Sequence, residues 1–221
     1  YCAVPGGKGA NQALAARRAG AAVASYGRVG RDEFADTALG ELRRGGVDLS
    51  GVARGGRATG CAFVCVDAPG ENQIVVASGA NRDARMAQIP DSALGSETTL
   101  VLQLELDIGE TTALIARARA AGARIVLNAA PARAIAETAL AAIDVLIVNR
   151  LEATMLAEGL NIPAPDAAPA ARDLADRLVC PALVTPSPAR VSPFRPAPAP
   201  TPRPHAPRAP PPARAAPALP D

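Results

Sequence analysis

The sequence predicts an α/β sandwich, a parallel sheet packed under helices, with a small β-lid and a proline-rich tail. Three observations carry that prediction. Between residues 98 and 185, short apolar strands without polar alternation take turns with amphipathic helices, the pattern of a parallel sheet covered on both faces. Around residues 59–78, two β-rich runs flank a Pro-Gly pair, which is a hairpin signal. Beyond residue 185, proline supplies 14 of the last 36 residues, too many for helix or central strand.

The elements follow in order. Residues 11–19 read as a helix that leaves a glycine cluster and stops at Gly20. "AAVASYG" is a short buried strand. Phe34, Ala38 and Leu42 recur at helical spacing beside Leu39, with Asp32 as N-cap and Gly45-Gly46 as the stop. "TGCAFVCVD" and "NQIVVAS", joined by "APGE", form the hairpin, and the lid spans about 57–78. Then "TLVLQLEL" is a strand, "ETTALIARARAAG" a helix, "ARIVLNAA" a strand, and "AIAETALAA" a helix. "DVLIVN" is a strand, "RLEATMLAEG" a helix, 166–178 a helix, and "ALVT" a strand. Ligands of such sheets bind at the carboxyl ends of the strands. A body of residues 1–185 and a tail of 186–221 result. The tail lacks the apolar content to offset ordering entropy and is expected to be disordered or polyproline-like.

Composition narrows the function classes. The net charge of +2 hides an acidic body and a tail with five arginines against one acid. No apolar run is long enough for a bilayer span, and no secretory h-region opens the chain. Cys61 and Cys65 would lie about 13 Å apart along a strand, too far to bond to each other. With Cys2 and Cys180 they show no zinc-type spacing, so reduced thiols in a cytoplasmic protein are expected. The tail's one histidine, His205, reads as incidental. Nucleic-acid binding by the basic tail ranks last, because Phe194 is its only aromatic ring besides that imidazole.

The most informative stretch is "VPGGKGANQA". Lys8 is the only lysine among 23 basic side chains, and it stands inside a glycine cluster. Gly6, Gly7 and Gly9 permit backbone conformations and close approach that a Cβ forbids. The amides at the start of the next helix favour an anion or a polyhydroxyl ligand. A tight turn alone would also fit this pattern. The phosphate-loop motif does not fit, because Lys8 precedes Gly9 and no Ser or Thr follows; neither does the dinucleotide fingerprint.

The longer string "GGKGANQALAARRAGA" resembles the N-terminal signature of the ribokinase family, the phosphofructokinase-B-type carbohydrate kinases. "GRVGRDEFADTALGELRRGGVD", "TGCAFVCVDAPGENQIVVASGAN", "LQLE", "LNAAPA" and "VNRLEATML" resemble later segments of that family, in the right order. The resemblance covers nearly all of residues 1–185, and "GGKGANQA" with "LNAAPA" is most similar to the ribose-specific members. It implies a ribokinase-like, Rossmann-like three-layer sandwich, incomplete at both ends, and ATP-dependent phosphorylation of the ribose 5-hydroxyl. A kinase for fructose, a nucleoside or another sugar, or a non-catalytic sugar- or nucleotide-binding remnant, are the alternatives.

The resemblance also assigns residues. Gly7, Lys8, Gly9, Ala10 and Asn11 would line the sugar pocket, with Asn11 reading hydroxyls and Lys8 a conformational and electrostatic part of the turn rather than a base. Glu105 matches the glutamate that binds sugar hydroxyls; a carboxylate accepts several hydrogen bonds. Asn149 and Glu152 form the family's N-x-x-E pattern, the asparagine near the ATP phosphates and the glutamate organising water around Mg²⁺. Taken alone, an acid in Glu152's place would only serve the helix dipole. Thr185 stands at a strand end near the nucleotide. A monovalent cation such as K⁺, and dimerisation through the lid, are further implications. The family's Gly-Ala-Gly-Asp motif, whose aspartate is the catalytic base, is absent, as is the Asn-x-Asp motif of a first strand. Little or no turnover is therefore expected. The tail is read, as a hypothesis, as an out-of-frame product of a GC-rich gene. Translating the other frames past codon 185 tests this, and frames lacking a Gly-Ala-Gly-Asp-like segment would refute it.

Overall fold

The computed structural model describes residues 3–66, 72–163, 166–187 and 190–194. The front of the chain comprises α1 (Lys8–Arg18), β1 (Ala24–Val29), α2 (Glu33–Arg44), β2 (Asp48–Arg54), β3 (Cys61–Val66) and β4 (Asn72–Ala77). Three short 3₁₀ turns at Gly79–Asp83, Met86–Gln88 and Asp91–Ala93 lead to the second part. This holds β5 (Thr99–Gln103), α3 (Ile108–Ala120), β6 (Arg124–Asn128), α4 (Glu137–Leu140), β7 (Val145–Asn149), α5 (Arg150–Gly159), α6 (Ala167–Leu178), β8 (Ala182–Ser187) and β9 (Arg190–Phe194).

The strands form three sheets. β1 and β2 pair in parallel, and β3 and β4 form the expected antiparallel hairpin. The expected Pro69-Gly70 turn lies outside the described residues. The main sheet has the order β5-β6-β7-β8-β9, parallel except for its last strand. Its register sets Leu102 beside Leu127, Leu127 beside Leu146, and Val148 beside Val184. These side chains form one buried face, packed against Ile115 of α3, Leu156 of α5 and Leu174 of α6. Burying apolar surface there is the main stabilising contribution.

The sheet is not covered equally on its two faces. The expectation was helical cover on both, but Val101 on the opposite face stays 43% exposed. On that face α1 meets β5 through the side chains of Gln12 and Gln103. A second, smaller core of Val29, Ala35, Leu39, Leu42 and Val47 holds α2 against the β1–β2 pair.

Several boundaries differ from the sequence expectation, each for a physical reason. The first helix starts at Lys8, inside the glycine cluster, because Gly7 at φ 99° turns the chain directly into it. The strand expected at "AAVASYG" is shifted to Ala24–Val29, where β2 pairs with it. β2 itself was not foreseen, since Asp, Ser and Gly are poor strand formers. Its Gly51 is required: a Cβ there would lie 2.3 Å from the Tyr26 ring. The strand at "TLVLQLEL" ends at Gln103, and residues 104–106 leave the ladder.

The helix expected at "AIAETALAA" shrinks to Glu137–Leu140. Tertiary contacts override alanine propensity here. Arg133 bonds to backbone carbonyls of residues 104 and 106, and Ile135 packs on the main core. Finally, the sheet does not stop at Thr185. β8 runs to Ser187, and Arg190–Phe194 of the expected tail pairs with it as an edge strand, a position where Pro193 is tolerated. The rest of that tail lies outside the described residues.

Candidate functional site

Parallel strands bring their carboxyl ends to one edge. The register sets Gln103 beside Asn128, Asn128 beside Ile147, and Asn149 beside Thr185. Gln103, Asn128, Asn149 and Thr185 thus share the less covered face at the sheet's carboxyl edge. Glu105 follows two residues beyond β5.

The glycine cluster reaches this edge. Lys8 Nζ lies 2.5 Å from Glu105 Oε1, 97 residues away in sequence. Four residues on, Gln12 accepts a hydrogen bond from Gln103. Helix positions i and i+4 share a face, so Lys8 meets Glu105 just beyond β5 and Gln12 meets Gln103 at its end, and the start of α1 docks there at two points. Gly9 sits between them: a Cβ there would approach Gln103 Oε1 to 3.2 Å. Ala10 lies in the same turn, and Asn11 is exposed at it, its N–H donating to the Gly7 carbonyl at 2.9 Å.

At the end of β7, Asn149 and Glu152 form a reciprocal capping box. Glu152 N–H donates to Asn149 Oδ1 at 2.8 Å, and Asn149 N–H donates to Glu152 Oε2 at 2.7 Å. One oxygen of each side chain is thereby occupied by helix capping. Glu152 Oε1 makes no hydrogen bond among the described residues. Glu152 is buried, and burial pushes its pKa up; the Asn149 N–H and the Lys8 charge pull it partly back. Lys8 is thus electrostatically placed between Glu105 and Glu152. Thr185 Oγ1 donates to the Val148 carbonyl at 3.4 Å, beside Asn149.

The residues read from the sequence do gather on one edge of the fold. Gln12, Gln103 and Asn128 were not foreseen there. For Gln103 and Asn128 the signal was available in principle, since a polar side chain that ends an otherwise apolar strand faces the ligand edge of a parallel sheet. A separate cavity of about 200 Å³ lies between the 132–135 segment and α5, lined by Ile135, Leu140, Met155 and Leu156. It shares no residue with this edge.

The pfkB family carbohydrate kinase model matches residues 3–186. The chain belongs to that family. The ribokinase of Staphylococcus aureus (strain COL) is 35% identical over 158 residues, 68% of this chain and 51% of that one. The ribokinase structure from Thermotoga maritima superposes with a TM-score of 0.71 at 25% identity, covering 86% of this chain and 65% of that one. A fructokinase from Xylella fastidiosa with bound ATP gives a TM-score of 0.66 at 25% identity, covering 84% and 62%. The chain thus spans about half the length of the curated pfkB-family relatives it matches.

Proposed function

We propose that the chain is the sugar-holding part of an ATP-dependent ribose kinase, with ribose seated between the glycine turn and the end of β5. The Lys8–Glu105 contact carries this reading, because it joins the glycine turn to the carboxylate just beyond β5. A carboxylate has about four acceptor sites. Lys8 occupies one, which leaves Glu105 room to accept sugar hydroxyls. Asn11 offers both a donor and an acceptor. Gly7 and Gly9 let the backbone approach the ring closely. The ribokinase resemblance supports ribose; the fructokinase resemblance makes fructose the rival.

Asn149 and Thr185 would flank the ATP phosphates. Magnesium suits Glu152, since that ion keeps several waters and takes few carboxylates, and Oε1 meets no donor among the described residues. Among the described residues no cluster of three His, Cys, Asp or Glu offers an all-protein cage. When bound with ATP, the ion would neutralise charge on the phosphate oxygens. The protein's own part is to hold the sugar, keep Glu105 oriented and place positive charge from Lys8 nearby. A cytoplasmic setting fits this reading, and no helix among the described residues is long and apolar enough to cross a membrane.

Isothermal calorimetry tests the proposal. Ribose should bind more tightly than fructose, and Glu105→Gln should weaken ribose about tenfold, the loss of a charge-assisted hydrogen bond. Equal affinity for both sugars, or an unaffected variant, refutes it. The β3–β4 hairpin supports a second element, a homodimer through the lid. Phe63 and Val75 on one of its faces, and Val64, Ile74 and Val76 on the other, are each more than half exposed. Sedimentation should show a dimer that Val75→Lys dissociates; a monomeric parent protein excludes it.

A further inference from the structure

We propose that Arg133 is a positioning residue for Glu105. The proposal rests on the sugar reading of that carboxylate. The β5–β6 ladder ends at the Gln103–Asn128 pair, so the three residues that follow have no strand partner. Backbone carbonyls in such a segment still need donors. Arg133 supplies them: its Nη1 donates to the Leu104 carbonyl at 3.3 Å and to the Leu106 carbonyl at 2.9 Å. These two carbonyls flank Glu105. Leu104 N–H is anchored as well, to the Ala130 carbonyl at 3.2 Å.

Glu105 is therefore held from two directions. Its backbone is pinned from the β6 side by Arg133, and its side chain is met from the α1 side by Lys8. A strand end freed from its ladder would swing, and displacement of a binding group by even 1 Å weakens its hydrogen bonds sharply. Arg133 accounts for how an irregular segment presents a carboxylate in a fixed place. It also explains why residues 134–136 stay outside the helix that was expected to begin there.

Arg133→Met keeps the apolar stem, which lines the cavity beside Met155, and removes the donors. In the sugar-free full-length chain, ¹⁵N relaxation should show lower order parameters at residues 105 and 106 in this variant. Ribose affinity should fall about tenfold, the worth of one to two hydrogen bonds, while the melting temperature stays unchanged. Arg133→Lys should recover most of the affinity, since an ammonium can still reach one carbonyl. Unchanged order parameters overturn the proposal. So does a loss of affinity that tracks a lowered melting temperature and is not recovered by lysine. If the parent protein fails to bind ribose, the sugar reading falls, and the relaxation measurement still decides whether Arg133 fixes this segment.

Discussion

The two halves of the described chain differ in how far apolar burial extends. From β5 onward, a continuous apolar face joins the sheet to α3, α5 and α6, with Leu127, Leu146 and Leu174 fully buried. In front of it, α1 buries no residue completely, and Gly7 gives it no side-chain cap. What docks its first turn on β5 is a pair of polar contacts, Lys8 with Glu105 and Gln12 with Gln103. The lid hairpin exposes apolar side chains on both faces. The contrast teaches where binding chemistry can be placed. The half with the larger core supplies the strand ends, and polar contacts tie the start of α1 to them, while Ala10, Ala13 and Leu14 pack on the smaller core.

The largest test of this contrast is core truncation. Leu127→Ala should cost about 2–5 kcal/mol, the range for a buried leucine in a tight core. Leu14→Ala, on the partly buried side of α1, should cost well under half as much. Chemical denaturation of both variants measures the difference. Equal losses would mean that α1 is held by apolar packing after all.

A smaller effect is expected where the front half is tight. Gly51→Ala places a methyl carbon 2.3 Å from the Tyr26 ring, which no rotamer of alanine avoids. Overpacking of this kind costs about 1–3 kcal/mol. Tyr26 also packs on the main core, so the strain should reach both halves. A single cooperative transition at a lowered midpoint sharpens the comparison. Two separate transitions would show that the halves unfold independently.

Smaller still is the contribution of the polar dock to stability. The Lys8–Glu105 pair is roughly 40% and 33% exposed, so solvent screens it. Exposed ion pairs contribute about 0–1 kcal/mol. Lys8→Met should therefore leave the melting temperature nearly unchanged while weakening ribose binding, and added salt should narrow the difference in affinity. A large loss of stability would show that the pair is structural first.

The same division decides what the sequence made legible. The apolar strands from β5 to β8, and the helices capped by Asp32, Asp107, Asn149 and Asp166, are local patterns with local causes. Of those caps, Asp32 also does something no local pattern reveals: it accepts from the Thr59 hydroxyl and N–H, tying α2 to the base of the lid. β2 was hidden because its residues disfavour strands and only Tyr26 and β1 make Gly51 a strand residue. Residues 134–136 were misread as helix because the carbonyls that hold the neighbouring Arg133 lie nearly 30 residues away. Within the site, it was the family resemblance that pointed to Glu105 and Asn149. The Gln12–Gln103 contact was not legible, since nothing in either segment names its partner.

The smallest expected effect concerns Glu152, where the two halves meet electrically. Burial raises its pKa, so the native state holds that proton more tightly than the unfolded chain does. Well below the ordinary glutamate range, both states are protonated and the group carries no charge penalty. As pH rises from that range through the raised native value, the unfolded state loses its proton first, and stability declines. At neutral pH the penalty stands in full, offset by the Asn149 N–H and the Lys8 charge. Glu152→Gln removes the charge but keeps an oxygen for that N–H. The variant should be slightly more stable than the parent near pH 7, and the two melting temperatures should converge as pH falls through the glutamate range. Lys8→Met should widen the neutral-pH gap, because it deletes one of the two offsets. If Lys8→Met leaves the gap unchanged, the charge of the glycine turn does not reach the β7 edge, and Lys8 acts on the second half only through Glu105.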